Sequence, residues 1–328
     1  MNGCYIAGTG SYLPDNIITN EDLAAAVGMT PGNILKMTGI KERRNAGPEE
    51  AASDLATHAA ISALYSAGIM AGDVDLIILA TTSPDMPMLS TACLVQKNIG
   101  AKKAAAFDIN ASCSGFLYAF NIGEMFIRNS QADAILVIAA EVKSRFVNPK
   151  DKETAILFGD GAGAVVLKRT DKNSHSGVIR TRLYADGENW KWIHLPAGGS
   201  RTPATPLTIA SGLHTMRMDG SKVYRAAINT LKSMLTDVVK ECGMAIDDID
   251  SFIFHQANLR IINQVIKRLG IRKEKVPLSL TTYGNTSSAS IPITFDQAVK
   301  GGEIKEGDIV AMASFGGGLT WGASILRW

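Results

Sequence analysis

Short apolar runs bounded by Gly, Asp or Ser recur along the chain. Between them lie longer stretches with apolar residues at helical spacing. The runs at 76–81, 134–140, 163–167, 252–254, 309–313 and 323–326 are rich in Ile, Leu, Val and Ala. Their length and polar flanks predict strands. The stretches at 53–67, 115–129, 221–242 and 258–269 predict helices. In the last, Leu259, Ile262, Val265, Ile266 and Leu269 fall on one face. Strands alternating with helices predict an α/β fold whose sheets are covered by helices.

The most polar stretch, KRTDKNSHSG at 168–177, lies near the midpoint. It divides the chain into two halves, 1–170 and 171–328. Each half ends on a Gly-rich entry into a strand: FGDGAGAVVL at 158–167 and FGGGLTWGASIL at 315–326. That recurrence suggests an internal duplication.

Composition narrows the function classes. The chain has 328 residues with Lys+Arg 33 and Asp+Glu 31, a net charge of +2. This balance leaves no polybasic arm, so nucleic acid is not an expected partner. No apolar run approaches the ~18–20 residues of a membrane span, so no membrane insertion is expected. The N-terminus, MNGCYIAGTGSYLP, lacks a basic segment followed by an apolar one, and a cytoplasmic location is expected. Cys4, Cys93, Cys113 and Cys242 are scattered without a CxxC pair, which argues against a zinc site or a disulfide framework.

Three segments carry candidate chemistry. In FDINASCSGFLYAF, a strand-like stretch at 104–109 leads through small residues to Cys113, and a helical pattern follows. A thiol at a helix N-terminus is favoured as thiolate, and nearby N–H groups suit an oxyanion. A small buried hydrophobe is the plainer reading of the same residue. His255, in DSFIFHQANLRI, ends an apolar run just before a helix, where α/β enzymes expose catalytic side chains. Asn285, in TTYGNTSSASIP, has turn or cap duty as its simplest role, with 286–290 opening a helix. Together, Cys, His and Asn make a workable set: the thiolate attacks a thioester, and the imidazole and amide donate to an enolate oxygen. FGDGAGA superficially resembles a phosphate loop, but its spacing is wrong and a strand follows it. The three glycines of FGGGLTWG permit close backbone approach to a nucleophile.

TGIKER (38–43), ATTSPD (80–85), SCSGF (112–116), FGDGAGA, HQANLRI (255–261), YGNTSSASIP (283–292) and FGGGLTWG, taken together, resemble β-ketoacyl-[acyl-carrier-protein] synthase III of the thiolase superfamily. The resemblance runs along nearly the whole chain. It implies a five-layered αβαβα thiolase-like fold of two similar halves, working as a homodimer. It implies a catalytic triad of Cys113, His255 and Asn285, and an oxyanion hole from the N–H groups of Cys113 and Gly317. It places Phe315, Leu157 and Met88 in the substrate pocket. An acyl primer from acyl-CoA or an acyl-carrier protein acylates the cysteine, and malonyl-carrier protein is decarboxylated to an enolate that attacks it. No metal or redox cofactor is implied. Arg225, Arg260, Lys267, Arg268 and Lys152 correspond to basic positions that face CoA or an acidic carrier protein; ordinary solvated charges are the plainer alternative.

The chain departs from the family pattern where CoA adenine is usually held. Asn33 and Met37 stand in the places of a Trp and an Arg, and Lys152 replaces an Arg. Weak acetyl-CoA binding, or a primer from another donor, is therefore expected. Met86 and Met88, the latter where an aromatic ring often crosses the dimer interface, suggest a longer or unusual acyl chain, or else a repacked interface. Two alternatives stand beside the leading reading: a relative in specialised metabolism acting on another donor or acceptor, and a non-catalytic partner subunit. Partner subunits of that kind generally lack the nucleophile, which is present here.

Overall fold

The structure is a computed structural model that describes residues 3–170 and 176–328. Residues 171–175 of the polar stretch at 168–177 lie outside the described residues. Nine strands form two large sheets. The first contains β1 (Cys4–Tyr12), β2 (Leu76–Ala80), β3 (Ala105–Ile109), β4 (Ala134–Glu141) and β5 (Gly161–Arg169), in the order β1-β5-β4-β2-β3. The second contains β6 (Gly177–Ala185), β7 (Ser251–Phe254), β8 (Ile309–Gly316) and β9 (Thr320–Arg327), in the order β7-β8-β9-β6. β2 pairs in parallel with both β3 and β4, and β7 in parallel with β8; the other pairings are antiparallel.

Seven helices position these sheets: α1 (Pro31–Thr38), α2 (Ala52–Ala67), α3 (Thr91–Ile99), α4 (Gly115–Arg128), α5 (Gly220–Glu241), α6 (Leu259–Leu269) and α7 (Ser290–Lys300). Successive side chains of a strand point to opposite faces, and the packing follows that rule. Ile77 and Leu79 of β2 pack with Leu136 and Ile138 of β4 against α2 and α3. Ile78 and Val137 point the other way, onto Phe116 and Phe120 of α4 and Ile291 and Phe295 of α7. The same middle layer receives Val310 and Met312 of β8 from the second sheet. Ala311 and Ala313 of β8 and Phe252 of β7 face outward onto α5 and α6. The result is helices, sheet, helices, sheet, helices: the five-layered αβαβα thiolase fold expected from the sequence. β2 and β4 are buried on both faces, which is why they read as continuous apolar runs.

The six apolar runs are all strands, and the four helical stretches are all helices. The hydrophobic pattern leaves β1, β6, α1 and α3 unassigned and gives only the opening of α7, at 286–290; β1, β6 and the body of α7 escape it for physical reasons. β1 carries Gly8 and Gly10, where a Cβ would lie 2.3 Å from the backbone nitrogens of Ala67 and Ala63 of α2. Close helix–sheet approach removes the β-branched residues that mark a strand. β6 is an edge strand with only Val178 buried, and Arg180, Thr181 and Arg182 interrupt its apolar positions. α7 is buried nearly all round, so it has no polar face to give it a helical period. Its buried Asp296 accepts Thr9 Oγ1 at 2.7 Å and Ser11 Oγ at 2.5 Å, tying the second half to the first sheet.

The two halves share a local device at the start of their middle-layer helices. In one, Asn110 Oδ1 accepts the Ser112 N–H at 3.2 Å, a 3-10 turn covers Ser112–Ser114, and α4 begins at Gly115. In the other, Asn285 Oδ1 accepts the Ser287 N–H at 2.8 Å, a 3-10 turn covers Ser287–Ala289, and α7 begins at Ser290. Ser112 and Ser287 both have positive φ, 50° and 52°. Both turns are offset by 175 residues (110 to 285, 112 to 287). β2 and β7 start at the same offset (76 to 251).

Candidate active site

The two turns face each other across the middle of the molecule. Cys113 sits in the first, and its Sγ lies 3.5 Å from Ser287 Oγ of the second. The imidazole of His255, which follows β7, completes the group. Cys113, His255 and Asn285 line one cavity of about 740 Å³, together with Phe315, Leu157 and Lys143. The three residues singled out in the sequence are therefore brought to a single site, although 142 residues separate the first two (113 to 255) and 30 the last two (255 to 285).

Each polar side chain is oriented by a serine: Asn285 by Ser287, which also lines the cavity, and His255 by Ser290, which does not. The Asn285 carbonyl oxygen is occupied by the Ser287 N–H, which turns its NH₂ group toward the cavity. The Asn285 backbone is pinned in turn: its N–H donates to Leu157 O at 2.9 Å, and its O accepts from Gly159 N at 3.1 Å. Gly284, at φ 66°, permits this turn, since a Cβ there would lie 2.8 Å from Leu157 O. His255 Nδ1 lies 2.7 Å from Ser290 Oγ, and that oxygen accepts the Gln256 N–H at 3.2 Å. Nδ1 is thus engaged by Ser290, and Nε2 is the nitrogen left for the cavity.

The Cys113 thiol is held lower than an ordinary one. Burial alone pushes Cys113 up, but the His255 imidazole, hydrogen bonds from His255 and Ser287, and the Lys143 ammonium together outweigh it, bringing the thiol from 9.0 to about 7. Burial drives Cys4 the opposite way, to about 12, and raises Cys242 as well. Gly316 lies directly against Cys113, so only a hydrogen fits at its α-carbon. Gly317 is not among the lining residues; a Cβ on it would lie 3.0 Å from Ser112 Oγ.

The other sequence candidates divide into two groups. Lys152, Arg225 and Arg260 line the cavity's outer part with Met37 and Tyr224, and the Arg260 guanidinium lies 5.5 Å from the Tyr224 ring centre. Lys267 and Arg268 are exposed in the last turn of α6 and do not line it; Arg268 Nη1 donates to Asn229 Oδ1 at 2.7 Å. Met88 is not in the cavity of its own chain either, and its side chain is 88% exposed. The placement of Met88 in the substrate pocket therefore requires a second copy of the chain.

Sequence reasoning missed Ser287, Ser290, Glu141 and Lys143. The serines lie in a Ser-rich turn that offers no way to rank them. Lys143 follows the apolar run of β4 and reads as an ordinary charge at a strand end. Glu141 is fully buried; burial pushes its carboxyl up, but Lys143 and hydrogen bonds from Ser83, Ser288 and Thr82 hold it below the usual carboxylate range.

Known proteins resemble this chain over nearly its whole length. The family profile described as 3-oxoacyl-[acyl-carrier-protein] synthase III matches residues 107–187, and its C-terminal counterpart matches 239–328. A β-ketoacyl-[acyl-carrier-protein] synthase III from Caldanaerobacter subterraneus subsp. tengcongensis is 47% identical over 323 residues, covering 98% of this chain and 97% of the relative. The crystal structure of 3-oxoacyl-[acyl-carrier-protein] synthase III from Aquifex aeolicus superposes with a TM-score of 0.91 at 43% identity, covering 99% of this chain and all of that one. The priming β-ketosynthase of the R1128 polyketide pathway superposes with a TM-score of 0.92 at 28% identity, covering 99% of this chain and 96% of that one.

Proposed function

This chain belongs to the 3-oxoacyl-[acyl-carrier-protein] synthase III family, and we propose that Cys113, His255 and Asn285 carry out the family's decarboxylative condensation in its cavity. It is a condensing acyltransferase of the fatty-acid biosynthetic type. Cys113 Sγ attacks the carbonyl carbon of an acyl thioester, the donor thiol departs, and the acyl group rests on the cysteine. Malonyl-carrier protein enters next. As its carboxylate leaves as CO₂, negative charge develops on the thioester oxygen. The Nε2–H of His255 and the NH₂ of Asn285 donate to that oxygen. The enolate carbon then attacks the acyl-Cys113 carbonyl, whose oxygen is held by the N–H groups of Cys113 and Gly317; the adduct collapses, the acyl C–S bond breaks, and 3-oxoacyl-carrier protein leaves with the Cys113 thiolate restored. Donors fixed in place before charge develops are worth more than mobile water.

One observation carries this reading. The side chains of His255 and Asn285 each have one polar atom already engaged, His255 Nδ1 by Ser290 and Asn285 Oδ1 by the Ser287 N–H, and both line the cavity that holds the thiol. That arrangement would do nothing for a purely structural cysteine.

Phe315 and Leu157 form the inner wall beside the acyl group in this proposal. Lys152, Arg225 and Arg260 ring the entrance and meet an acidic carrier protein or the phosphates of CoA, with Lys267 and Arg268 extending the basic face along α6. The protein works as a homodimer in the cytoplasm, with the exposed Met86, Met88 and Leu89 covered by the partner copy. The reaction asks for no metal or redox cofactor. Among the described residues no helix is long and apolar enough to cross a membrane.

Intact-protein mass after mixing with acyl thioesters tests the reading. An acyl adduct should form and be absent from Cys113→Ala. His255→Ala and Asn285→Ala should still acylate but lose malonyl decarboxylation. Variants that fail only at acylation would contradict the assigned roles, and no adduct with any thioester would favour a non-catalytic subunit. An acyltransferase or condensing enzyme of specialised metabolism, acting on another donor or acceptor, is the second reading. It is favoured by Met37 at the cavity mouth, where the family's adenine-binding side chain is missing.

A further inference from the structure

The cavity wall beside Cys113 holds a basic side chain whose part in the condensation above is confined to the last of the interactions that lower the thiol. Lys143 follows the buried strand β4, is only 7% exposed, and lines the cavity that contains Cys113. Its ammonium lies 3.4 Å from Glu141 Oε2 and donates to Thr82 Oγ1. Glu141 has other donors as well: the Thr82 N–H at 3.2 Å, and the hydroxyls of Ser83 and Ser288, each at 2.7 Å. An ammonium has three protons. Glu141 and Thr82 take two, and one is left for the cavity.

Much of the remaining wall is apolar, with Ile156, Leu157, Met216 and Phe315. A charged group in such a wall is costly, and an apolar residue of similar size would fill the space without that cost. What the lysine adds is a charged donor toward whatever the cavity holds. We propose that Lys143 selects an acyl group with a carboxylate at its far end, so that the primer carried by Cys113 is the half-thioester of a short dicarboxylic acid. This rests on the reading of Cys113 as the acyl-bearing nucleophile.

The change of charge during the reaction supports the same choice. Before acylation the ammonium interacts with the Glu141 carboxylate and with the Cys113 thiolate. On acylation Cys113 Sγ bonds to the carbonyl carbon, the donor's C–S bond breaks, and the departing thiolate takes a proton from solvent. The Cys113 sulfur is then neutral, and Lys143 has lost one of two anionic neighbours. A distal carboxylate replaces it.

The test compares acyl groups of equal chain length that end in carboxylate or methyl: succinyl, glutaryl and adipyl against butyryl, pentanoyl and hexanoyl. Each is offered to the purified protein as CoA thioester and as carrier-protein thioester, and acyl-Cys113 formation is timed by intact mass. At one chain length or more, the carboxylate donor is expected to acylate at least about tenfold faster than its methyl counterpart, because a site built around a buried polar group rejects an isostere lacking the partner. Lys143→Leu should reverse that ratio, and Lys143→Arg should keep its direction. The ratio within one preparation is the readout, since loss of folded protein lowers both rates alike. Wild-type protein that favours the methyl-ended donors at every length overturns the proposal while leaving Cys113 as nucleophile. A carboxylate preference that survives in Lys143→Leu overturns it too. Failure of every thioester to acylate Cys113 refutes instead the reading on which it rests.

Discussion

Gly316 meets Cys113 so closely that a Cβ at position 316 would lie 2.7 Å from the Cys113 backbone nitrogen and 2.8 Å from its Cβ. The Gly-rich end of β8 is thus part of the surroundings of Cys113, and its bare backbone keeps space open at the Cys113 N–H. Gly316→Ala must push the Cys113 turn away from β8 and displace the N–H groups proposed for the oxyanion hole. Loss of one oxyanion donor costs about 10²–10³ in rate, and a drop of at least about 10² in acylation rate is expected. Single-turnover acylation of the folded variant checks it; a wild-type rate would show that this glycine serves packing alone.

The thiol's position near neutrality fixes a pH profile. The thiolate is the attacking form, so acylation should rise with pH through about 7 and level off above it. At pH 6 the rate should be about tenfold below the plateau, one unit under the midpoint. His255→Ala removes the group that contributes most to lowering the thiol, so its midpoint should move up toward 9.0. Alkylation of Cys113 by iodoacetamide, followed across pH in both proteins, reads this directly. Coincident profiles would mean that His255 does not tune the thiol.

Ser290 is a positioning residue: it touches His255 Nδ1 and the Gln256 N–H, and it does not line the cavity. Ser290→Ala leaves the imidazole free to rotate or to carry its proton on Nδ1. Condensation kcat should fall about tenfold, part of the 10²–10³ that a single preorganised donor contributes, with the KM for malonyl-carrier protein little changed. A purely structural role would lower the melting temperature and leave kcat per folded molecule unchanged.

The sequence shows the parts of this site that depend on local context. Cys113 stands in a strand–turn–helix setting with small neighbours, and His255 and Asn285 mark the ends of apolar or Gly-punctuated runs. Each can be recognised without knowing what lies across the fold. Ser290, Ser287 and Lys143 cannot, because their meaning comes from contacts 35, 174 and 61 residues away that only the tertiary packing sets. Strands show the same division. β4 is legible because both its faces are buried; β1 is not, because α2 approaches its glycines too closely for the side chains that would identify it.

Weak CoA binding follows from α1. Asn33 and Met37 lie one helical turn apart and are both exposed, with Met37 at the cavity mouth. Neither offers a ring or a guanidinium to an adenine. The KM for acetyl-CoA should be high, and Asn33→Trp combined with Met37→Arg should lower it with little change in kcat, since the contact is remote from the thiol. Steady-state kinetics decide. A micromolar KM with ordinary turnover in the unaltered protein would sink the idea.

Arg225 and Arg260 enter the cavity mouth from α5 and α6, and the Arg260 guanidinium is held over the Tyr224 ring. A fixed cation at an entrance steers an acidic partner before contact, and such steering is screened by salt over about 8–10 Å. Arg260→Glu should therefore raise the KM for malonyl-carrier protein about tenfold at low ionic strength, and the gap should narrow at high salt. The same variant should act normally on malonyl-pantetheine, which reaches the thiol without docking a protein. Equal losses on the two substrates would instead place Arg260 in the path of the pantetheine arm. A loss on carrier protein that does not change with salt would point to a packing contact rather than a steering charge.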